Sequence, residues 1–162
     1  MPERYWIESP VGFLVLEFRG GRLGRIEFHD SAPECEAAPP GHETAESLNA
    51  WFRDPSLPLP QPPLMPAPTP FQQRLRAALL AIPPGETRTY GQIARMLGTS
   101  PRAIGQGCRA NPVPLVVPCH RVVSSRGPGG YAGATRGRLA EVKRWLLSHE
   151  RRLENAGVRP QG

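Results

Sequence analysis

The chain has 162 residues, 39% hydrophobic, 21% charged and 7% aromatic, which suits one ordinary domain or two small ones and excludes a coiled coil or an acidic disordered tail. No apolar run approaches the roughly 18–20 residues of a membrane helix, Met1-Pro2-Glu3-Arg4 lacks the order of a signal peptide, and Cys35, Cys108 and Cys119 are too irregular for a disulfide framework, so a reducing cytosolic compartment is expected. The net charge of +6 is uneven: residues 1–80 are net −3 and residues 81–162 net +9, which points to a polyanionic partner for the second half, although Lys143 is the only lysine and a general bias to arginine would also raise the charge.

Residues 4–28 read as strands. Leu14, Leu16 and Phe18 alternate, as do Ile26 and Phe28, with Gly20-Gly21 as the turn between them. Residues 29–43 form a polar loop. Leu48, Trp51 and Phe52 have the spacing of a short amphipathic helix. Pro55 to Pro70 then holds eight prolines in sixteen residues, a stretch predicted to be a stiff, extended linker. The expected organisation is therefore 1–54, a linker over 55–69, and a second domain over 70–162.

The second half opens with a helix. Thr69 caps it, Pro70 suits its first position, and Gln72 is placed to complete a capping box. Phe71, Leu75, Ala78, Leu79 and Ile82 supply its apolar face, and Pro83-Pro84-Gly85 stops it. A second helix is predicted from Tyr90 to Leu97. Gly98-Thr99 turns the chain, and Ser100 caps a third helix that opens with Pro101; two short helices around a glycine turn have the helix-turn-helix pattern. The third helix, Arg102 to Arg109, is thin because of Ala103, Gly105 and Gly107. That thinness fits either tight packing on a neighbour or close approach to DNA. Three prolines interrupt the apolar segment 111–125. The Gly-rich stretch 127–133 around Tyr131 has no lysine and is not a phosphate loop. A last helix, Arg138 to Arg151, carries Val142, Leu146 and Glu150 on one side.

Pro118-Cys119-His120-Arg121 is the candidate reactive centre. A thiol attacks as its thiolate, and an adjacent His or Arg favours that form. The bland alternative is a buried cysteine beside a core histidine. A zinc site is not expected, because Cys35 and Cys108 lie at no finger-like spacing from the pair. A cysteine protease normally keeps its Cys and His far apart in sequence.

Val117-Pro118-Cys119-His120-Arg121-Val122 resembles the active-site motif of the O6-alkylguanine-DNA alkyltransferases. Thr89-Tyr90-Gly91-Gln92-Ile93-Ala94 resembles that family's first DNA-site helix, and Arg102-Ala103-Ile104-Gly105 with Asn111-Pro112 resembles its recognition helix and hinge. Gly130-Tyr131-Ala132-Gly133 and Lys143 to Glu150 resemble its C-terminal part. Residues 70–150 match in order; the first half matches loosely through its strand pattern. The resemblance implies an α+β fold: a small N-terminal antiparallel-sheet domain with a helix, ribonuclease-H-like, followed by a mostly helical, winged helix-turn-helix-like C-terminal domain.

It also implies DNA repair by direct reversal. The alkyl group of O6-alkylguanine, with O4-alkylthymine as a second candidate, would pass irreversibly to Cys119 in a single turnover. His120 would act through a water as base and Glu150 would orient it. Tyr131 would donate to guanine N3, the carbonyls of Cys119 and Val122 would accept the exocyclic amine, and Asn111 would hold the hinge. Tyr90 would crowd the neighbouring phosphate, and Arg102 would fill the stack left by a base flipped from the minor groove. Ala103 lies on the recognition helix, and Arg88, Arg95 and Arg109 would add phosphate contacts. No cofactor or structural metal is implied. The expected partner is double-stranded DNA, with no membrane, for a cytoplasmic, nucleoid-associated monomer.

The chain departs from the family pattern in about five extra residues between Tyr131 and Lys143, and in Cys108, where a larger or apolar residue is usual. Two other readings are a non-catalytic alkyltransferase-like lesion binder, in which the acceptor Cys is replaced, and a helix-turn-helix regulator, which would not explain Cys119, His120, Tyr131 and Glu150 together.

Overall fold

The computed structural model describes residues 2–126 and 138–155, without the side chains of 154 and 155. It divides into two compact units, Met1–Met65 with Pro112–Val116, and Pro66–Asn111 with Val117–Gly162. The mixed α+β composition expected from the sequence is present in both.

In the first unit, β1 (Glu3–Ser9), β2 (Gly12–Arg19) and β3 (Arg22–His29) form an antiparallel meander. Gly20 and Gly21 turn β2 into β3 with φ of 56° and 77°, the positive values that a tight hairpin needs. Strict alternation along β2 fails, because Leu14, Val15 and Leu16 are all buried: the central strand is covered on both faces. The sheet is also not purely antiparallel. Two exposed residues, β4 (Glu36–Ala37), pair parallel to β1 inside the expected 29–43 loop, a strand too short and polar to have a periodicity. Helix α1 (Glu43–Arg53) buries Leu48, Trp51 and Phe52; its cap is His42, whose Nδ1 accepts from the amide of Ala45 at 3.2 Å.

The proline-rich stretch is not a free linker over 55–69. Leu23 donates its amide to Pro63 O (2.8 Å) and accepts from the Met65 amide (2.9 Å), so the segment runs along β3 as far as Met65. Proline has no N–H to donate but keeps its carbonyl, so such a chain can line a sheet edge. The expected 70–162 domain is likewise not one continuous unit. Pro112–Val116 belongs to the first, where Pro112 O accepts from the Ile26 amide at 2.9 Å and Val113, Leu115 and Val116 are buried. Leu115 has φ 76°, a left-handed conformation costing about 1–2 kcal/mol for a residue with a Cβ.

The second unit holds α2 (Pro70–Leu80), β5 (Arg88–Thr89), α3 (Tyr90–Leu97), α4 (Pro101–Arg109), β6 (Val122–Val123) and α5 (Arg138–Asn155). Thr69 caps α2 through the Gln72 amide (3.0 Å), but the Gln72 side chain does not complete a capping box; it donates to Gly107 O on α4 at 3.3 Å. The full capping box lies at α3 instead, between Thr89 and Gln92. Gly98, at φ 67°, ends α3, and Ser100 caps α4 through the Ala103 amide. Arg74 donates to Leu97 O at 2.8 Å and so satisfies a carbonyl at the C-terminus of α3.

The thinness of α4 has two causes, one for each face. A Cβ on Gly107 would overlap Leu75 and crowd Phe71, so this glycine lets α4 pack against α2. A Cβ on Gly105 would meet nothing within 4 Å, so that glycine narrows an open face.

Candidate active site and nucleic-acid interface

The reactive segment lies in the second unit as a 3-10 turn, Cys119–Arg121. Val117 O accepts from two donors: the Cys119 amide at 2.8 Å and the Asn111 side-chain amide at 3.0 Å. Asn111, reached immediately after the C-cap of α4, thus ties the end of that helix to the backbone of Cys119. Beyond the turn, Val122 and Val123 pair parallel with Arg88 and Thr89. This pairing draws the N-terminus of α3, and with it Tyr90, to the reactive turn.

Cys119, His120 and Arg121 are all buried. His120 Nε2 is 2.7 Å from Glu150 Oε1. Its Nδ1 is buried and has no protein partner among the described residues, so this nitrogen can serve a small polar group in the site. Burial lowers the pKa of His120, outweighing the opposing pull of Glu150, so the ring is neutral at neutral pH. Burial acts to raise Glu150, but His120 and Arg121 overcome it and hold the carboxylate at about 2. Arg121 grips both Glu150 oxygens through Nε and Nη2 and donates Nη1 to Ile82 O at 2.8 Å. It is a buried, hydrogen-bonded structural arginine that anchors the turn to the end of α2 and to α5. Chain spacing could not reveal this pairing, since 29 residues separate Arg121 from Glu150.

Lys143 was not singled out as a site residue. It is almost fully buried on α5, donates to Val122 O at 2.7 Å and to the Tyr90 hydroxyl at 3.3 Å, and its Nζ lies 5.5 Å from the Tyr90 ring centroid. Burial lowers its pKa to about 8, against the opposing influence of Cys119 and Cys108. The signal in the sequence was its solitude: one lysine in an arginine-rich chain, at a position that turns out to be buried. Its bond to Val122 O means that the carbonyl expected to read guanine already accepts one hydrogen bond. Cys119 O likewise accepts the Val122 amide. Each keeps a second lone pair.

Tyr90 is half-buried against Lys143. Its pKa rises to about 12, first through burial and then through Cys108 and Cys119. Cys108 is also pushed up to about 12, by burial and by Cys119, with Lys143 opposing. Arg95, Arg102 and Arg109 are exposed on α3 and α4, and Ala103 is half-buried. Arg88 is engaged with Glu86 at 3.2 Å and with Thr87 O. Tyr131 lies outside the described residues. Among the described residues no cluster of three His, Cys, Asp or Glu could hold a metal, and no helix is long and apolar enough to cross a membrane.

A buried Cys-His turn with a carboxylate on its histidine lies in the same unit as two short helices that carry exposed arginines. Residues 70–152 match the 6-O-methylguanine DNA methyltransferase family, in its DNA-binding domain. The chain is 34% identical to the O6-methylguanine methyltransferase of Mycobacterium tuberculosis, with a TM-score of 0.77 over 94% of both chains; a structure titled M. tuberculosis OGT in complex with DNA matches at a TM-score of 0.75, 34% identity and 93% of both chains. It is 47% identical over 85 residues to the methylated-DNA–protein-cysteine methyltransferase of Salmonella typhimurium, covering 51% of this chain and 47% of that one. The chain spans about half the length of the curated relatives it matches. It belongs to the 6-O-methylguanine DNA methyltransferase family.

Proposed function

We propose that this protein repairs DNA by moving the alkyl group of O6-alkylguanine in a duplex to Cys119, irreversibly and once per chain. The carrying observation is the buried Cys119-His120 turn with His120 Nε2 on Glu150. Glu150 stays ionised and fixes the imidazole, so neutral His120 takes the Cys119 proton through a water at Nδ1. The Lys143 ammonium favours the resulting thiolate. Attack on the alkyl carbon forms a thioether, and the purine leaves as an anion to which Tyr131 donates at N3. The second lone pairs of Cys119 O and Val122 O accept the guanine amine.

O6 is hidden in a stacked duplex, so the nucleotide must leave the stack, at a cost of a few kcal/mol. Arg102, exposed at the start of α4, fills the gap. The open face at Gly105 and Ala103 admits α4 to the narrow minor groove, Asn111 holds the hinge, Tyr90 crowds the neighbouring phosphate and promotes its rotation, and Arg95 and Arg109 contact phosphates. We read the first unit as ribonuclease-H-like, from its meander followed by α1, and the second as winged helix-turn-helix-like, from α3, α4 and the β5–β6 pair. The protein acts as a cytoplasmic monomer on double-stranded DNA. The intact Cys119 favours catalysis over the lesion-binding alternative.

The test is intact mass after incubation with an O6-methylguanine duplex. One methyl per chain, on the Cys119 peptide, is expected; sustained turnover or a methyl on Cys108 or Cys35 would defeat the assignment. Arg102→Ala should slow transfer from duplex far more than from free O6-benzylguanine, which needs no flipping, while removal of Arg95 or Arg109 should lower the salt slope of duplex affinity by about one unit for each lost phosphate contact. Single-turnover rates on both substrates check this, and equal losses would remove Arg102 from the flipping step.

A further inference from the structure

Helix α2 carries a side chain that its own start does not use. The Thr69 cap takes only the backbone amide of Gln72, and the Gln72 side chain turns to α4, where Nε2 donates to Gly107 O at 3.3 Å. The last turn of α4 leaves that carbonyl to it. The Ala110 amide binds Gln106 O at 3.0 Å and the Asn111 amide binds Cys108 O at 3.2 Å, so neither reaches Gly107 O. Gly107 is buried, and a Cβ there would overlap Leu75 and crowd Phe71, so α4 meets α2 at this point through its backbone. Contact and hydrogen bond together fix both the approach of α4 to α2 and its rotation about its own axis.

That rotation decides what α4 presents to solvent. Gly105 precedes Gly107 by two residues, about 200° around the helix, so its open face lies nearly opposite the locked one. Arg102 is exposed near the start of the same helix. Beyond the other end, the Asn111 side chain donates to Val117 O, which also takes the Cys119 amide. A turn of α4 about its axis would therefore move Arg102 and the open face relative to Cys119. It would leave the bond between His120 and Glu150 alone, since these residues belong to the reactive turn and to α5.

We infer that Gln72 is a positioning residue for transfer from duplex DNA: through Gly107 O it holds α4 at the rotation where Arg102 and the open face meet the duplex. The reaction at Cys119 does not itself need this bond. The inference rests on the repair function proposed above and on the place of Arg102 in it. An amide suits the task, because it donates to the carbonyl without bringing a charge to the helix pair.

The test compares wild type, Gln72→Met and Gln72→Glu as full-length proteins. Met keeps the length of the side chain without a donor, and Glu keeps its shape while setting an acceptor against Gly107 O. Both keep the backbone amide that Thr69 caps. Single-turnover rates are measured over a range of O6-methylguanine duplex concentrations and on free O6-benzylguanine. The maximal rate on duplex should fall roughly ten- to hundredfold, more for Glu than for Met, while the free-base rate stays within about twofold of wild type. With Arg102→Ala added, the duplex loss should be smaller than the product of the two single losses, since both act through α4. An unchanged maximal rate on duplex in both variants overturns the inference, and so does a loss confined to duplex affinity, which would make Gln72 a phosphate contact. Equal losses on duplex and free base overturn it as well, because they report general support of the fold. These outcomes leave the repair function standing; a wild type that transfers from neither substrate sinks that function and this inference with it.

Discussion

Replacing Cys119 by Ala should abolish alkyl transfer completely while leaving duplex binding essentially intact. The thiol supplies the only bond that the alkyl group can form in this mechanism, and no neighbouring group can substitute. His120 is a neutral imidazole turned to Glu150, and Cys108 is held protonated with its pKa at about 12. The exposed arginines of α3 and α4 are untouched by the change. A buried Cys acts as a small hydrophobe, so the stability loss should stay near about 1 kcal/mol. Intact mass after incubation with an O6-methylguanine duplex measures the first effect, and fluorescence anisotropy on the same duplex measures the second. Transfer persisting in Cys119→Ala would move the acceptor elsewhere. Loss of binding in step with transfer would show that the turn is itself part of the DNA surface.

The second large effect is expected at Glu150, where one carboxylate serves both His120 and Arg121. Glu150→Ala should slow transfer by releasing the imidazole, and should also destabilise the fold. It leaves the Arg121 guanidinium buried with Ile82 O as its one remaining hydrogen-bond partner among the described residues. Breaking a buried pair from one side costs about 3–5 kcal/mol, which amounts to a fall in Tm on the order of 10 °C for a chain of this size.

The same residue predicts the acid response. Glu150 is held below its ordinary 4.5, at about 2, so the unfolded chain binds this proton first as pH falls. Its contribution is present above pH 4.5 and is lost as pH drops towards 2, up to about 3 kcal/mol in all. His120 adds a loss of the same sign, beginning below its ordinary 6.5, because the buried ring resists a proton that the unfolded chain accepts. Urea unfolding at a series of pH values should show both losses in the wild type, and Glu150→Gln should lose the lower one. An unchanged acid limb in Glu150→Gln would mean that Arg121 finds another acceptor.

How much of the fold and of the site is legible in the chain depends on the range of each interaction. Local rules sufficed for α3 over Tyr90–Leu97 and for the caps at Thr69 and Ser100, because propensity and capping act within a few residues. The Gly20-Gly21 hairpin and the apolar faces of α1 and α2 were read in the same way, and the adjacency of Cys119 and His120 is covalent. Folding decided what lies between distant residues. Pro63 and Met65 bond to Leu23, so a stretch whose composition says linker becomes a sheet edge. Pro112 bonds to Ile26, so the segment before the reactive turn belongs to the first unit. Gln72 satisfies Gly107 rather than its own helix start. Glycine 105 and glycine 107 are alike in sequence, and only their neighbours separate an open face from a packed one. Composition shows one lysine, but only burial between Val122 O and the Tyr90 hydroxyl makes Lys143 part of the site. Periodicity and caps determine elements because their partners are near in sequence; a buried charge takes its meaning from partners that the chain alone does not rank.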